Sequence, residues 1–189
     1  MKNNEQVVVA GKIGAVVHIT QPDGRVFEQY RRPPGTRLII VSPEGKILIT
    51  REHRHETGGI DLRLPGGKVC DTYEQYQALL ASDESVAVAA MAGAIKEGRE
   101  ETGLVINYPE LITVAKAGAT VDWDLYYYLV RQCNELAGGQ QLEHGENIEV
   151  TWMTVTALRE AITRGEMAEW RSVGVLLGLV LPALAGPTV

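Results

Sequence analysis

The sequence is poor in the features that mark several protein classes. Of 189 residues only two are cysteine, Cys70 and Cys133. They stand in no metal-ligand spacing, so a disulfide scaffold and a cysteine-bound zinc are excluded, and reduced cytosolic thiols are expected. Basic residues are also in deficit. Lys and Arg number 18 against 24 Asp and Glu, a formal charge of −6, which gives no general surface for nucleic acid. Long hydrophobic runs are missing. The most apolar stretch, 173–185, holds two glycines and a proline and falls short of the roughly 20 residues of a membrane span. It reads as a buried C-terminal helix. The apolar run after Gln6 is too short for a secretory core. There is no internal repeat, no low-complexity tract and no G-x-x-x-x-G-K-[ST] phosphate loop. A cytoplasmic protein with neither nucleic acid nor membrane as partner is expected.

What is present is ordinary for a soluble domain: 45% hydrophobic and 22% charged residues, enough chain to bury one core without metal or disulfide help. Residues 7–19 and 25–30 are β-rich runs around Gln21-Pro22-Asp23-Gly24, and read as a hairpin. Arg31-Arg32-Pro33-Pro34-Gly35 then separates an N-terminal arm, 1–35, from a main domain, 36–189. Leu38–Val41 and Lys46–Thr50 flank Ser42-Pro43-Glu44-Gly45 as a second hairpin. A loop from Glu52 to Gly59 and the segment Asp61–Leu64 lead into Pro65-Gly66-Gly67-Lys68. From Ser82, read as an N-cap, to Thr102 the pattern is helical, with Gly103 as the terminating glycine. Strands are expected at 111–116, 124–131 and 148–155, and helices at 156–164 and 170–181. Strands, helix, strands and helices in that order point to an α/β (α+β) sandwich with a mixed sheet between helices.

Lys96-Glu97-Gly98-Arg99-Glu100-Glu101-Thr102-Gly103-Leu104 carries the chemistry. On a helix Glu97, Glu100 and Glu101 are spaced i, i+3, i+4 and share one side. Like charges at that spacing repel, and the helix C-terminus disfavours anions. A divalent cation offsets both penalties, and hard carboxylate oxygens suit Mg²⁺ or Mn²⁺. A solvated helix end is the alternative. Upstream, Gly66 and Gly67 let backbone approach a ligand closely, so a carbonyl there is a further candidate ligand.

Pro65-Gly66-Gly67-Lys68 followed by Glu97, Glu100, Glu101, Gly103 and Leu104 resembles the Nudix box, G-x5-E-x7-R-E-U-x-E-E-x-G-U. Arg51-Glu52-His53-Arg54, Leu62–Lys68 and Glu146–Val150 extend the resemblance towards ADP-ribose and nucleotide-sugar pyrophosphatases. Three positions depart from the box. Lys96 replaces Arg, Gly98 replaces an aliphatic residue, and the segment 68–83 lengthens the first half. Glu84 is then the candidate for the box's first glutamate. It lies four residues early, which is close to one helical turn and would keep it on the correct face. Tyr73–Leu80 within this segment reads as helical. Arg63 stands where many relatives carry an acid.

The resemblance implies a Nudix fold with an N-terminal β-hairpin arm used for dimerisation. It implies metal-assisted hydrolysis of a diphosphate bond in ADP-ribose or a related nucleotide sugar. Gly66 (through its carbonyl), Glu97 and Glu101 are the primary ligands, Glu100 is a secondary ligand or catalytic carboxylate, and Glu146 is the general base. Arg54 is expected to contact phosphate, since guanidinium forks match phosphate oxygens. His53 and His55 are read as solvated. Trp123 and Tyr126–Tyr128 are either core or stacking surfaces for a base. A Nudix-fold nucleotide-binding module without hydrolase activity is the competing reading.

Overall fold

The computed structural model describes residues 4–54 and 58–184; His55, expected in a solvated loop, lies outside them. Three antiparallel strands open the chain: β1 (Glu5–Ala10), β2 (Ala15–Thr20) and β3 (Val26–Arg31). The run expected as one strand over 7–19 is two strands. Gly11 N–H donates to the Gly14 carbonyl at 2.8 Å and closes a turn between them. A Cβ on Gly14 would collide with Tyr30. The turn at Gln21–Gly24 forms as expected, with Gly24 at φ 85°. The expected hairpin is therefore a three-stranded meander. It is also tied to the main body, because β9 (Val121–Asp122) pairs in parallel with Tyr30 and Arg31.

In the main body, β4 (Gly35–Ile40) runs parallel to β10 (Leu125–Val130), which is antiparallel to β8 (Glu110–Ala115). β5 (Ile47–Arg54) lies between β6 (Gly59–Arg63) and β12 (Ile148–Met153), antiparallel to both. β7 (Leu104–Asn107) and β11 (Gln132–Glu135) form a further antiparallel pair. The turn at Ser42–Gly45 forms, but β4 and β5 are not the expected hairpin. They share a single bridge, Val41–Ile47, and then diverge into different sheets.

The reason is burial. Every residue of β4 is buried, so both of its faces must find apolar partners. Alternation along a strand sends successive side chains to opposite sides. Leu38 and Ile40 join Tyr128, Val130 and Ala94 in one cluster, whereas Ile39 and Val41 join Tyr127, Leu158 and Leu176 in another. The strand layer thus separates two cores, one under the long helix and one under the C-terminal helices. Tyr127 and Tyr128 are wholly buried, which makes them core residues.

The helices are α1 (Tyr73–Ala81), α2 (Val86–Thr102), α3 (Val155–Thr163), α4 (Trp170–Val175) and, after a π-helical turn over Leu176–Val180, α5 (Leu181–Leu184). α1 starts with a capping box formed by Thr72 and Gln75, which satisfies two otherwise free backbone donors. Ser82 is not the N-cap of α2 but the C-cap of α1; Ser85 caps α2, its side chain accepting from Val88 N–H. Glu84 consequently lies before α2, exposed, and takes no place on the helix face. The rest of the box converges in space. Gly93, midway along α2, lies beside the Lys68 carbonyl and Val69, so the helix packs against the start of the segment 68–83. Gly103 ends α2 at φ 68°. No helix among the described residues is long and apolar enough to cross a membrane.

Candidate active site

Pro65-Gly66-Gly67 is threaded between β4 and α2. The Pro65 and Gly67 carbonyls accept from Leu38 and Thr36 N–H at 2.8 and 2.9 Å. Gly66 adopts φ 140°, and a Cβ there would strike the Thr36 carbonyl; on Gly67 a Cβ would fall on the Glu97 carboxylate. Both glycines are needed because β4 backbone crowds one side and Glu97 the other.

Glu97 and Glu101, one helical turn apart, face this loop, and the Gly66 N–H donates to Glu101 Oε2 at 2.7 Å. Glu101 is 6% exposed. Burial pushes its carboxyl up to about 8, against the Gly66 hydrogen bond, which favours the anion; Glu52 and Glu97 add repulsion. Glu97 is also raised, first by burial and then by Glu100, Glu146 and Glu143, with Lys96 opposing. The Gly66 carbonyl accepts from Arg37 Nη1 at 3.2 Å.

These groups line a cleft of about 380 Å³. Glu143, Glu146, Arg32, Arg37, Arg54 and Arg63 also line it. Arg54 lies on β5, not in the expected loop, because the strand continues to that residue. Two positions apart, Arg54 and Glu52 share a face and form an ion pair. Glu52 also faces Arg63 at 3.7 Å and accepts from Thr50 Oγ1 at 3.1 Å. Glu146 Oε2 accepts from Glu143 N–H at 2.9 Å, closing a turn. Trp123 lines the cleft, but Arg32 and Arg171 stack over its ring at 4.2 and 4.1 Å. Its stacking capacity is taken up inside the protein, so it is no platform for a base.

The sequence matches the NUDIX domain family over residues 31–172, which embrace the whole cleft. The chain belongs to the Nudix family. A solved structure titled as an ADP compounds hydrolase shares the fold, with a TM-score of 0.66, 18% identity, and coverage of 97% of this chain and 93% of that one. No curated protein matches the sequence.

The structure brings Gly66, Glu97, Glu101, Glu146 and Arg54 of this Nudix domain to one cleft. Glu100 does not line it: its Oε2 pairs with Lys96 Nζ at 3.2 Å. Successive residues turn about 100° on a helix, which carries Glu100 away from Glu101. Among the described residues no three His, Cys, Asp or Glu side chains form a ready ion cage. Two oxygen-only carboxylates, both disfavoured as anions where they stand, still fit a small hard cation. Mg²⁺ commonly takes one or two carboxylates and fills its shell with water and substrate oxygens.

Sequence reasoning missed Arg37 and Arg32, and passed over Glu143 in favour of Glu146 in the same acidic loop. Arg37 sits in a strand that otherwise reads as pure core, and a charge within such a run is the signal that marks it. Arg32 lies beside residues that were read, without a spacing of its own.

Proposed function

We propose that this Nudix domain hydrolyses the diphosphate bond of a nucleoside diphosphate joined to a second moiety, ADP-ribose or a nucleotide sugar, with Mg²⁺ or Mn²⁺. The observation that carries the reading is the placement of two desolvated carboxylates against a glycine loop, in a cleft that four arginines also line. Glu97, Glu101 and the free lone pair of the Gly66 carbonyl are the groups that would hold the cation; Glu100 would join them only by leaving Lys96. Bound there, the cation supplies charge to neutralise diphosphate oxygens and acidifies the attacking water.

The protein's own groups do the remainder. Gly66 N–H fixes the Glu101 carboxylate, and Arg54, held by Glu52, orients a phosphate through its remaining donors. Glu146 takes the proton of the attacking water as general base, with Glu143 beside it in the cleft lining. The products are a nucleoside monophosphate and a sugar phosphate. A homodimer through the N-terminal sheet belongs to the same reading, supported by the exposed Val8, Val9 and Val26 on that sheet.

The test is to incubate the protein with Mg²⁺ or Mn²⁺ and ADP-ribose, GDP-mannose, UDP-glucose or 8-oxo-dGTP, and to measure released monophosphate. Turnover of at least one diphosphate-linked sugar is expected. Nucleotide binding with no turnover of any compound would establish the binding-module reading instead.

A further inference from the structure

Helix α2 ends against the root of the acidic loop. A helix leaves its last carbonyls without partners of its own, and here the loop root supplies them. Leu136 N–H donates to the Gly103 carbonyl and Gln141 N–H to the Glu100 carbonyl, each at 2.8 Å. The Glu101 carbonyl takes a side chain instead: Gln140 Nε2 donates to it at 2.6 Å. The same nitrogen donates at 3.1 Å to the carbonyl of Ile148, the first residue of β12. Both partners are carbonyl oxygens, which only accept, so the amide must turn its NH₂ towards them, and its two protons match the two acceptors. Gly103 makes the approach possible, since a Cβ there would come within 2.9 Å of the Gln140 backbone nitrogen.

The two carbonyls stand at the feet of one loop. Residues 141–147 leave from Gln140 and return at Ile148, and they carry Glu143 and Glu146 into the cleft lining. Among the described residues the hydrogen bonds of 142–147 stay within the turn: Glu146 N–H to the Glu143 carbonyl at 3.1 Å, and Glu143 N–H to Glu146 Oε2 at 2.9 Å. The turn fixes the two acids relative to each other, and the feet fix them relative to the body. Glu101 joins both sides, because its carboxylate meets the glycine loop while its carbonyl holds Gln140.

We propose that Gln140 is a positioning residue for hydrolysis, clasping the feet of the 141–147 loop to the end of α2 and so setting Glu146 against Glu97 and Glu101. The inference rests on the hydrolase reading above, with Glu146 as base, and adds a residue outside the cleft lining. A base must stay within hydrogen-bond reach of the proton it takes. A loop with one foot released holds its acid there for less of the time, so the clasp acts on turnover and leaves binding alone. Gln140 is exposed at the loop root, and its replacement leaves the core intact.

The experiment compares the full-length parent with Gln140→Ala, Gln140→Asn and Gln141→Ala, using Mg²⁺ and a diphosphate-linked sugar that the parent hydrolyses. Gln140→Ala should lower kcat about fivefold or more, with KM and the Mn²⁺ dissociation constant, read by electron paramagnetic resonance without substrate, within about twofold of the parent. Gln140→Asn, one methylene shorter, cannot span both carbonyls and should lose turnover too. Gln141→Ala gives up only a contact with exposed Arg99 and keeps its backbone bond, so it should match the parent. In a Glu146→Gln background the Gln140→Ala loss should vanish, because two residues that act as one step are not additive. Hydrogen exchange reads the clasp without chemistry: amides of 142–147 should exchange faster in Gln140→Ala while those of 90–98 in α2 stay unchanged. Unchanged kcat, a loss that multiplies with that of Glu146→Gln, Mn²⁺ binding that weakens in step with kcat, or unchanged loop exchange would each overturn the proposal. A parent that turns over nothing overturns the hydrolase reading and the catalytic role together, while faster loop exchange in Gln140→Ala would still uphold the clasp.

Discussion

Replacing Glu101 by glutamine should leave the metal-free protein no less stable at pH 4.5 and make it more stable than the parent at pH 8. In the parent, Glu101 moves from the ordinary value of 4.5 to about 8 on folding. Between those values the folded state holds a proton that the unfolded chain has released. Stability from this group is therefore full below pH 4.5 and lost as pH rises through 8. A rise of about 3.5 units at roughly 1.4 kcal/mol each sets a ceiling on the order of 5 kcal/mol, and about 1–3 kcal/mol is expected once local relaxation is allowed. The glutamine amide oxygen can still accept from Gly66 N–H, so the variant keeps the contact without the charge. Urea unfolding in EDTA at pH 5, 6.5 and 8 measures the slopes. The parent should lose stability across the series while Glu101→Gln stays nearly flat by comparison. Adding Mg²⁺ or Mn²⁺ should restore the parent most at pH 8 and affect the variant less. Parallel slopes for the two proteins would refute the assignment of the pH dependence to this carboxyl.

Three substitutions probe the surrounding geometry. Gly67→Ala puts a Cβ onto the Glu97 carboxylate, which has to swing away; diphosphate hydrolysis should drop at least tenfold, on the order of the loss of one positioned charge, with little change in thermal midpoint. Gly98→Ala gains about 1 kcal/mol of helix propensity, but its Cβ meets Leu38 Cδ1 at 2.5 Å and Ile106 Cγ1 at 2.7 Å. A net loss of about 1–3 kcal/mol by denaturant unfolding is expected, and a gain would show that α2 can lift off the strand layer. Thr72→Ala removes the capping-box acceptor of α1 and should cost about 1 kcal/mol, read in the same denaturant experiment.

Much of the fold was legible because burial is periodic. The helix from the mid-eighties to Thr102, its terminating Gly103 and the strands around Leu125 and Ile148 follow from side-chain spacing and turn chemistry alone. The misses have physical causes. β7, β9 and β11 are short strands at the margins, with two to four residues each, too few for alternation to declare itself. The pairing of β4 depends on which sheet buries it, and an all-apolar strand carries no record of its neighbour. At the site, Glu97 and Glu101 were readable because their crowding breaks a local rule. The pairing of Glu100 with Lys96 was not, since both sides of the box helix carry charge. Gly98 looked like a defect in a helix and is a packing requirement set by Leu38 and Ile106.

The sixteen residues 68–83 stand where five are usual. Closing the longer loop costs about 1 kcal/mol more, since the entropy grows only with the logarithm of length. The Thr72–Gln75 cap contributes about the same amount, so the detour nearly offsets itself. With Gly93 of α2 packed against Lys68 and Val69, catalytic geometry depends on how α2 docks on the glycine loop, and hardly on how much chain the detour contains. A motif defined by counting residues is thereby free to drift in evolution while the distance it encodes stays fixed, and such a segment is where a family can acquire new surface without rebuilding its chemistry.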